Sequence, residues 1–265
     1  MGTLINCTDE RLAKGRIFDC RSALMDAQYG PTQYAKGHIP GAIYADLNHE
    51  LCGQIQPGVT GRHPLPTKKD FLQQVRRWGI NNDDLIVTYD DDNGAFAARL
   101  WWMLRWLGHD DVFVLDGGFK QWTEKNLPVS VDTYSAATSD FSLKPALTKV
   151  VSAPYLLPWD GLLLDARDPI RFRGESEPVD PIAGHIPGAA NAPFANNMNQ
   201  GTFKTPTQLR EIYHAAARQD VACYCGSGVT ATHTILALIH AGFDEPHLYP
   251  GSWSEWITDS KHPIA

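Results

Sequence analysis

The chain has 265 residues and a formal net charge of −7, long enough for one large or two medium domains that each bury a core. Its acidic balance, with no run of Lys or Arg, excludes nucleic acid and an anionic membrane surface as partners. The cysteines Cys7, Cys20, Cys52, Cys223 and Cys225 are odd in number and contain no Cys-x-x-Cys, which excludes a disulfide framework and a zinc site and leaves thiols in a reducing compartment.

The stretch from Met1 to Cys7 lacks the long apolar core of a signal peptide, and no apolar run approaches a membrane span. The expectation is a soluble, cytoplasmic protein. Ile17-Phe18-Asp19-Cys20-Arg21 reads as a strand ending in an acidic residue, followed later by Gly37-His38-Ile39-Pro40-Gly41-Ala42. Asp84 to Asp90 reads as a second strand, and Ala95 to Leu107 as a helix whose Ala97, Leu100, Trp101, Leu104 and Leu107 share one face. That tryptophan stripe belongs to a core. Asp116-Gly117-Gly118-Phe119-Lys120-Gln121-Trp122 closes the first half. Ser130 to Ser152, rich in Ser, Thr and Ala without periodicity, suits a linker.

The second half repeats this order. Leu163-Leu164-Asp165-Ala166-Arg167 precedes Gly184-His185-Ile186-Pro187-Gly188-Ala189, and Pro250-Gly251-Ser252-Trp253-Ser254-Glu255-Trp256 stands where the first half has its Asp116 motif. Four motifs in the same order twice mark an internal duplication. Each copy alternates short apolar strands with helices, the pattern of a parallel sheet covered on both faces. His38 and His185, present in both copies, are expected to be structural, as are Arg167, Trp253 and Trp256.

Within the second copy, Val221-Ala222-Cys223-Tyr224 reads as a buried strand and Thr232 to Ala241 as a helix closed by Gly242. Between them runs Cys225-Gly226-Ser227-Gly228-Val229-Thr230-Ala231. Two glycines and small residues let the backbone curl around the sulfur, so that N–H groups and the helix N-terminus can stabilise negative charge there. A cysteine so placed is a nucleophile. The first copy has Asp90 in its place, followed by Asp91 and Asp92. Three carboxylates are expected to repel a bound anion, which leaves one chemically live domain. A tyrosine-phosphatase-like loop would need an arginine six positions after the cysteine to grip phosphate bidentately, and that position is Ala231.

These motifs resemble the rhodanese superfamily over nearly the whole chain, in particular tandem rhodanese-like sulfurtransferases with an inactive first domain. The fold implied is α/β: two rhodanese-like domains, each a mostly parallel sheet with helices on both faces, at residues 1–139 (inactive) and 140–265 (catalytic). The Cys-Gly-Ser-Gly-Val-Thr-Ala loop is similar to that of 3-mercaptopyruvate sulfurtransferases. The resemblance implies ping-pong transfer of a sulfane sulfur from 3-mercaptopyruvate, through a Cys225 persulfide, to cyanide or a thiol such as thioredoxin or glutathione, with no metal or organic cofactor. Arg171 matches the arginine that binds the donor anion, and Gly226, Gly228, Val229 and Thr230 form the loop that holds the persulfide. Ser227, His63 and Asp46 match a serine, histidine and aspartate proposed to act together in some of these enzymes. One departure stands out. A second anion-binding arginine commonly follows a Glu-Pro pair in this family, and here Glu177-Pro178 is followed by Val179. Two alternatives therefore remain: a thiosulfate:cyanide sulfurtransferase, and a persulfide carrier that exchanges sulfur only with protein partners.

Overall fold

The computed structural model describes residues 3–157 and 159–265. Met1 and Gly2, at the start of the stretch read for a signal sequence, lie outside the described residues. The chain divides into two units: Met1–Cys52, Pro66–Leu147 and Gln200–Phe203 form the first, and Gly53–Leu65, Thr148–Asn199 and Lys204–Ala265 the second.

In the first unit, β1 (Leu4–Ile5), β2 (Arg16–Asp19), β3 (Ile43–Tyr44), β4 (Ile86–Tyr89) and β5 (Val112–Leu115) form a parallel sheet in the order β1-β5-β4-β2-β3. Its helices are α1 (Tyr29–Lys36), α2 (Lys68–Arg77), α3 (Ala97–Trp106) and α4 (Gly118–Glu124). Thr67 caps α2 by accepting the Asp70 N–H. All residues of α3 but Trp106 are buried, so its apolar surface extends around the helix beyond the single stripe of the sequence pattern.

In the second unit, β6 (Lys149–Val150), β7 (Leu162–Asp165), β8 (Ala190–Asn191), β11 (Val221–Tyr224) and β12 (His247–Leu248) repeat that topology in the order β6-β12-β11-β7-β8, again parallel. The short strands β9 (Met198–Asn199) and β10 (Thr202–Phe203) lie between β8 and α6 (Pro206–Ile212) in the chain. The remaining helices are α5 (Pro169–Phe172), α7 (Thr230–His240) and α8 (Ser252–Trp256). A capping box between Thr205 and Gln208, with Pro206 in the first turn, starts α6. Gly242, at φ +90°, ends α7. Among the described residues no helix is long and apolar enough to cross a membrane.

The duplication extends to side-chain detail. In register across β2 and β4, Asp19 faces Tyr89; across β7 and β11, Asp165 faces Tyr224. Arg21 grips Asp19 at 2.5 Å and the Gly37 carbonyl at 2.7 Å, while Arg167 grips Asp165 at 2.6 Å and the Gly184 carbonyl at 2.8 Å. His38 and His185 each place Nδ1 on a backbone carbonyl, of Tyr34 and Phe172, and stack on that residue's ring. Trp253 and Trp256 are fully buried. These pairs lock the loops that follow each strand, as expected of structural residues.

The stretch read as a linker is held by the first unit over much of its length. Ser139 and Lys144 donate backbone N–H groups to the Arg76 and Leu107 carbonyls, Asn82 exchanges hydrogen bonds with Ser142, and Phe141 is fully buried. The change of unit accordingly falls between Leu147 and Thr148, beyond the expected position at 139/140. Composition is silent on this, because one buried ring and a few backbone bonds leave no periodic trace.

Candidate active site

Cys225 directly follows the last residue of β11 and is 1% exposed. Three contacts fix it. Its own N–H donates to Ser252 Oγ at 3.1 Å, its carbonyl accepts from Trp253 N–H at 3.0 Å, and Gly228 N–H donates to its Sγ at 3.1 Å. The last of these aims a positive dipole at the sulfur. Gly228 sits at φ +78°, and a Cβ there would collide with the Pro250 carbonyl, so the loop can curl only with glycine at this point. Val229 is the N-cap residue of α7 and Thr230 its first residue.

Ser252 carries a signal that the sequence reading passed over. It is a non-glycine residue at φ +55°, while the corresponding position of the first unit, at the start of α4, is Gly118 at the same φ. The strained backbone brings its hydroxyl between the Cys225 N–H and the Tyr249 carbonyl, to which it donates at 2.9 Å.

His63 and Ser227 come together as anticipated, with Nδ1 2.8 Å from Oγ and both residues buried. His63 reaches Ser227 because Gly53–Leu65 belongs to the second unit. There Gly61 packs so closely on Gly251 and Ser254 that a Cβ would collide with both, and Arg62 N–H donates to Ser254 Oγ at 3.0 Å. Asp46 lies in the first unit, where its Oδ1 accepts from the backbone N–H groups of Asn48 and His49.

Arg171, at the end of α5, donates Nε to both Glu177 oxygens at 3.0 and 2.9 Å and Nη2 to Asp180 Oδ2 at 3.1 Å. Burial works against the Glu177 charge, but hydrogen bonds from Arg171 and from the Asp180 and Val179 N–H groups outweigh it and hold the carboxyl below its usual range. Arg173 instead pairs with Glu175 on the surface. Arg62 is a residue that sequence reasoning missed: its Nε and Nη2 grip Asp180 at 2.9 and 3.1 Å.

Burial pushes Cys20, Cys52 and Cys223 upward, which keeps them protonated and inert.

In the first unit Asp90 directly follows β4. Its carboxylate accepts from the N–H groups of Gly94, Phe96 and Ala97 at 2.8, 2.8 and 3.2 Å. The repulsion expected of three carboxylates is therefore not what distinguishes this loop: an anion cradle forms, and Asp90 fills it with its own side chain. Full burial raises the Asp90 pKa from 3.8 to about 6 against the pull of those N–H groups. The folded state thus holds the proton more tightly than the unfolded chain, so this group's contribution to stability falls as pH rises through that window, by about 3 kcal/mol in all. Urea unfolding of wild type and Asp90→Asn between pH 4 and 6 checks this: the variant should lose that part of the slope, and an identical slope would contradict it.

The model for the rhodanese-like domain matches residues 6–125 and again residues 155–259. Together with the doubled parallel sheet and the cysteine loop at the end of a central strand, this shows that the chain belongs to the rhodanese-like family. It is 47% identical over 259 residues to a probable 3-mercaptopyruvate sulfurtransferase of Pseudomonas aeruginosa, covering 94% of this chain and 91% of that one. It is 38% identical over 257 residues to a putative thiosulfate sulfurtransferase of Mycobacterium tuberculosis, covering 94% and 89%. The solved structure of 3-mercaptopyruvate sulfurtransferase from Leishmania major superimposes with a TM-score of 0.89 at 31% identity, covering 99% of this chain and 76% of that one.

Proposed function

We propose that the protein is a cytoplasmic sulfurtransferase that moves a sulfane sulfur from 3-mercaptopyruvate to a thiol or cyanide through a Cys225 persulfide, with the first unit catalytically inactive. The observation that carries this reading is the Gly228 N–H aimed at Cys225 Sγ while arginine side chains gather at the adjacent Gly226. Sulfur chemistry and an anion anchor thus meet at one loop. The 47% identity to a relative named for mercaptopyruvate supports this donor over thiosulfate.

In the proposed reaction the Cys225 thiolate attacks the donor sulfur, an S–S bond forms and the donor's C–S bond breaks. The electron pair stays on the carbon skeleton as the enolate of pyruvate, and the thiol proton of the donor passes to that carbon. Pyruvate leaves and the persulfide remains on the loop. An acceptor thiolate or cyanide then takes the outer sulfur and regenerates the Cys225 thiolate. In this scheme Ser227, hydrogen-bonded to His63, takes the role of donor to the developing enolate oxygen. No step of this scheme runs through Asp46, which caps its own turn. The first unit is inactive because an aspartate side chain occupies its cradle.

Steady-state kinetics test the reading. With mercaptopyruvate varied at several cyanide concentrations, the double-reciprocal lines should be parallel, and kcat/KM should exceed that for thiosulfate. A preference for thiosulfate would transfer the assignment to that donor. Absence of turnover with either, alongside sulfur exchange with a protein persulfide, would make the protein a carrier.

A further inference from the structure

We propose that the groove at the C-terminal end of α7, in the second unit, is a docking site for an extended peptide segment of a protein partner, anchored by an aromatic side chain. The first unit shows such a segment in the equivalent place. Helices α3 and α7 end alike. Gly108 and Gly242, at φ +85° and +90°, donate to the Arg105 and Ile239 carbonyls, and the next residues, His109 and Phe243, donate to those of Leu104 and Leu238. Beyond that point the two units differ.

In the first unit the segment 139–147 runs across the end of α3. Lys144 and Leu147 donate N–H groups to the Leu107 and Arg105 carbonyls at 3.1 and 3.0 Å, where the last turn of a helix offers acceptors. Phe141 is fully buried, with its ring 5.9 Å from that of His109. The segment sits so close that a Cβ on Gly108 would lie 2.6 Å from Lys144 Cβ and 2.7 Å from the Pro145 carbonyl oxygen.

In the second unit, among the described residues, a Cβ on Gly242 would meet Arg210 Nη1 alone, at 3.8 Å. In the segment's place is a cavity of about 430 Å³, bounded by residues 216–221 and 242–246 with Leu238 and Lys149. That is room enough for a bulky side chain. Val221, Leu238 and Pro246 are buried around it, and Phe243 stands where His109 meets the Phe141 ring, so an incoming aromatic ring finds an apolar wall and a ring to pack against. The carbonyls of Ala241 and Ile239 correspond to those that Lys144 and Leu147 engage on α3. The chain's own segment is committed to the first unit, in a second copy as much as in this one. The occupant therefore comes from another protein.

A fluorescein-labelled peptide of residues 139–147, titrated with the full chain and read by anisotropy, tests this. Wild type should bind it saturably, one peptide per chain. The peptide carrying Phe141→Ala should bind roughly ten- to a hundredfold more weakly, the range for burying one phenylalanine. Ala217→Trp, at an exposed position on the cavity wall, should weaken the original peptide by a similar factor, whereas Thr207→Trp, exposed on α6 and outside the cavity lining, should bind as wild type. On the wild-type protein, p-benzoylphenylalanine in place of Phe141 in the peptide should crosslink to residues 216–221 or 242–246. Absence of saturable binding, equal affinity for the two peptides, undiminished binding to Ala217→Trp, or crosslinks confined to other residues would each overturn the proposal. A dimer in sedimentation that Ala217→Trp dissociates would also overturn it, by assigning the groove to a second copy.

Discussion

Cys225→Ser should reduce sulfur transfer to background, a loss of at least about a thousandfold in kcat, because a hydroxyl cannot carry the transferred sulfur and no neighbouring thiol can substitute. Cys223 lies two residues back, on β11, but is fully buried, and burial keeps its thiol protonated. The exchange of Sγ for Oγ is small, and the loop's contacts with Ser252 and Trp253 run through the Cys225 backbone. The variant should therefore fold normally. Steady-state assay with mercaptopyruvate and cyanide, beside thermal unfolding, checks both halves of the expectation. Single replacement of Cys7, Cys20, Cys52 or Cys223 should leave turnover largely intact.

The largest effect on stability should come from Arg167→Ala. Arg167 and Asp165 are an ion pair with both side chains essentially inaccessible, and Arg167 also donates to the Gly184 carbonyl and lies over the Trp253 ring at 4.8 Å. Removing one partner of such a pair leaves an uncompensated buried carboxylate, at a cost of about 3–5 kcal/mol. Urea unfolding of the full chain should register that loss. The double variant Asp165→Leu with Arg167→Met should lose less than Arg167→Ala, because no charge is then stranded. If Arg167→Ala unfolds at the wild-type urea midpoint, the pair is not the scaffold element described here.

What the sequence made legible was whatever is local or repeated. The strand-to-helix placement of Cys225, the Gly228 turn, the duplicated Asp-x-Arg pairs and the core tryptophans are each written within a few residues, and the structure has them in those roles. Arg62 lies 118 residues from Asp180, and no periodicity connects a loop arginine to a distant carboxylate. The approach of His63 to Ser227, across 164 residues, was anticipated only through the family resemblance. Ser252 stood inside a motif whose tryptophans drew attention as core residues, and its positive φ is invisible in the letters. Asp90 illustrates a different limit: its identity announced the absence of a thiol, but whether its carboxylate would repel anions or fill the cradle depended on backbone N–H directions.

The most direct test of the account is mass spectrometry of the whole protein and its peptides after incubation with mercaptopyruvate and removal of excess donor. One added sulfur atom should appear, on the peptide carrying Cys225, and it should disappear when cyanide is supplied. Added sulfur on another cysteine, or none on Cys225 while turnover proceeds, would contradict the account.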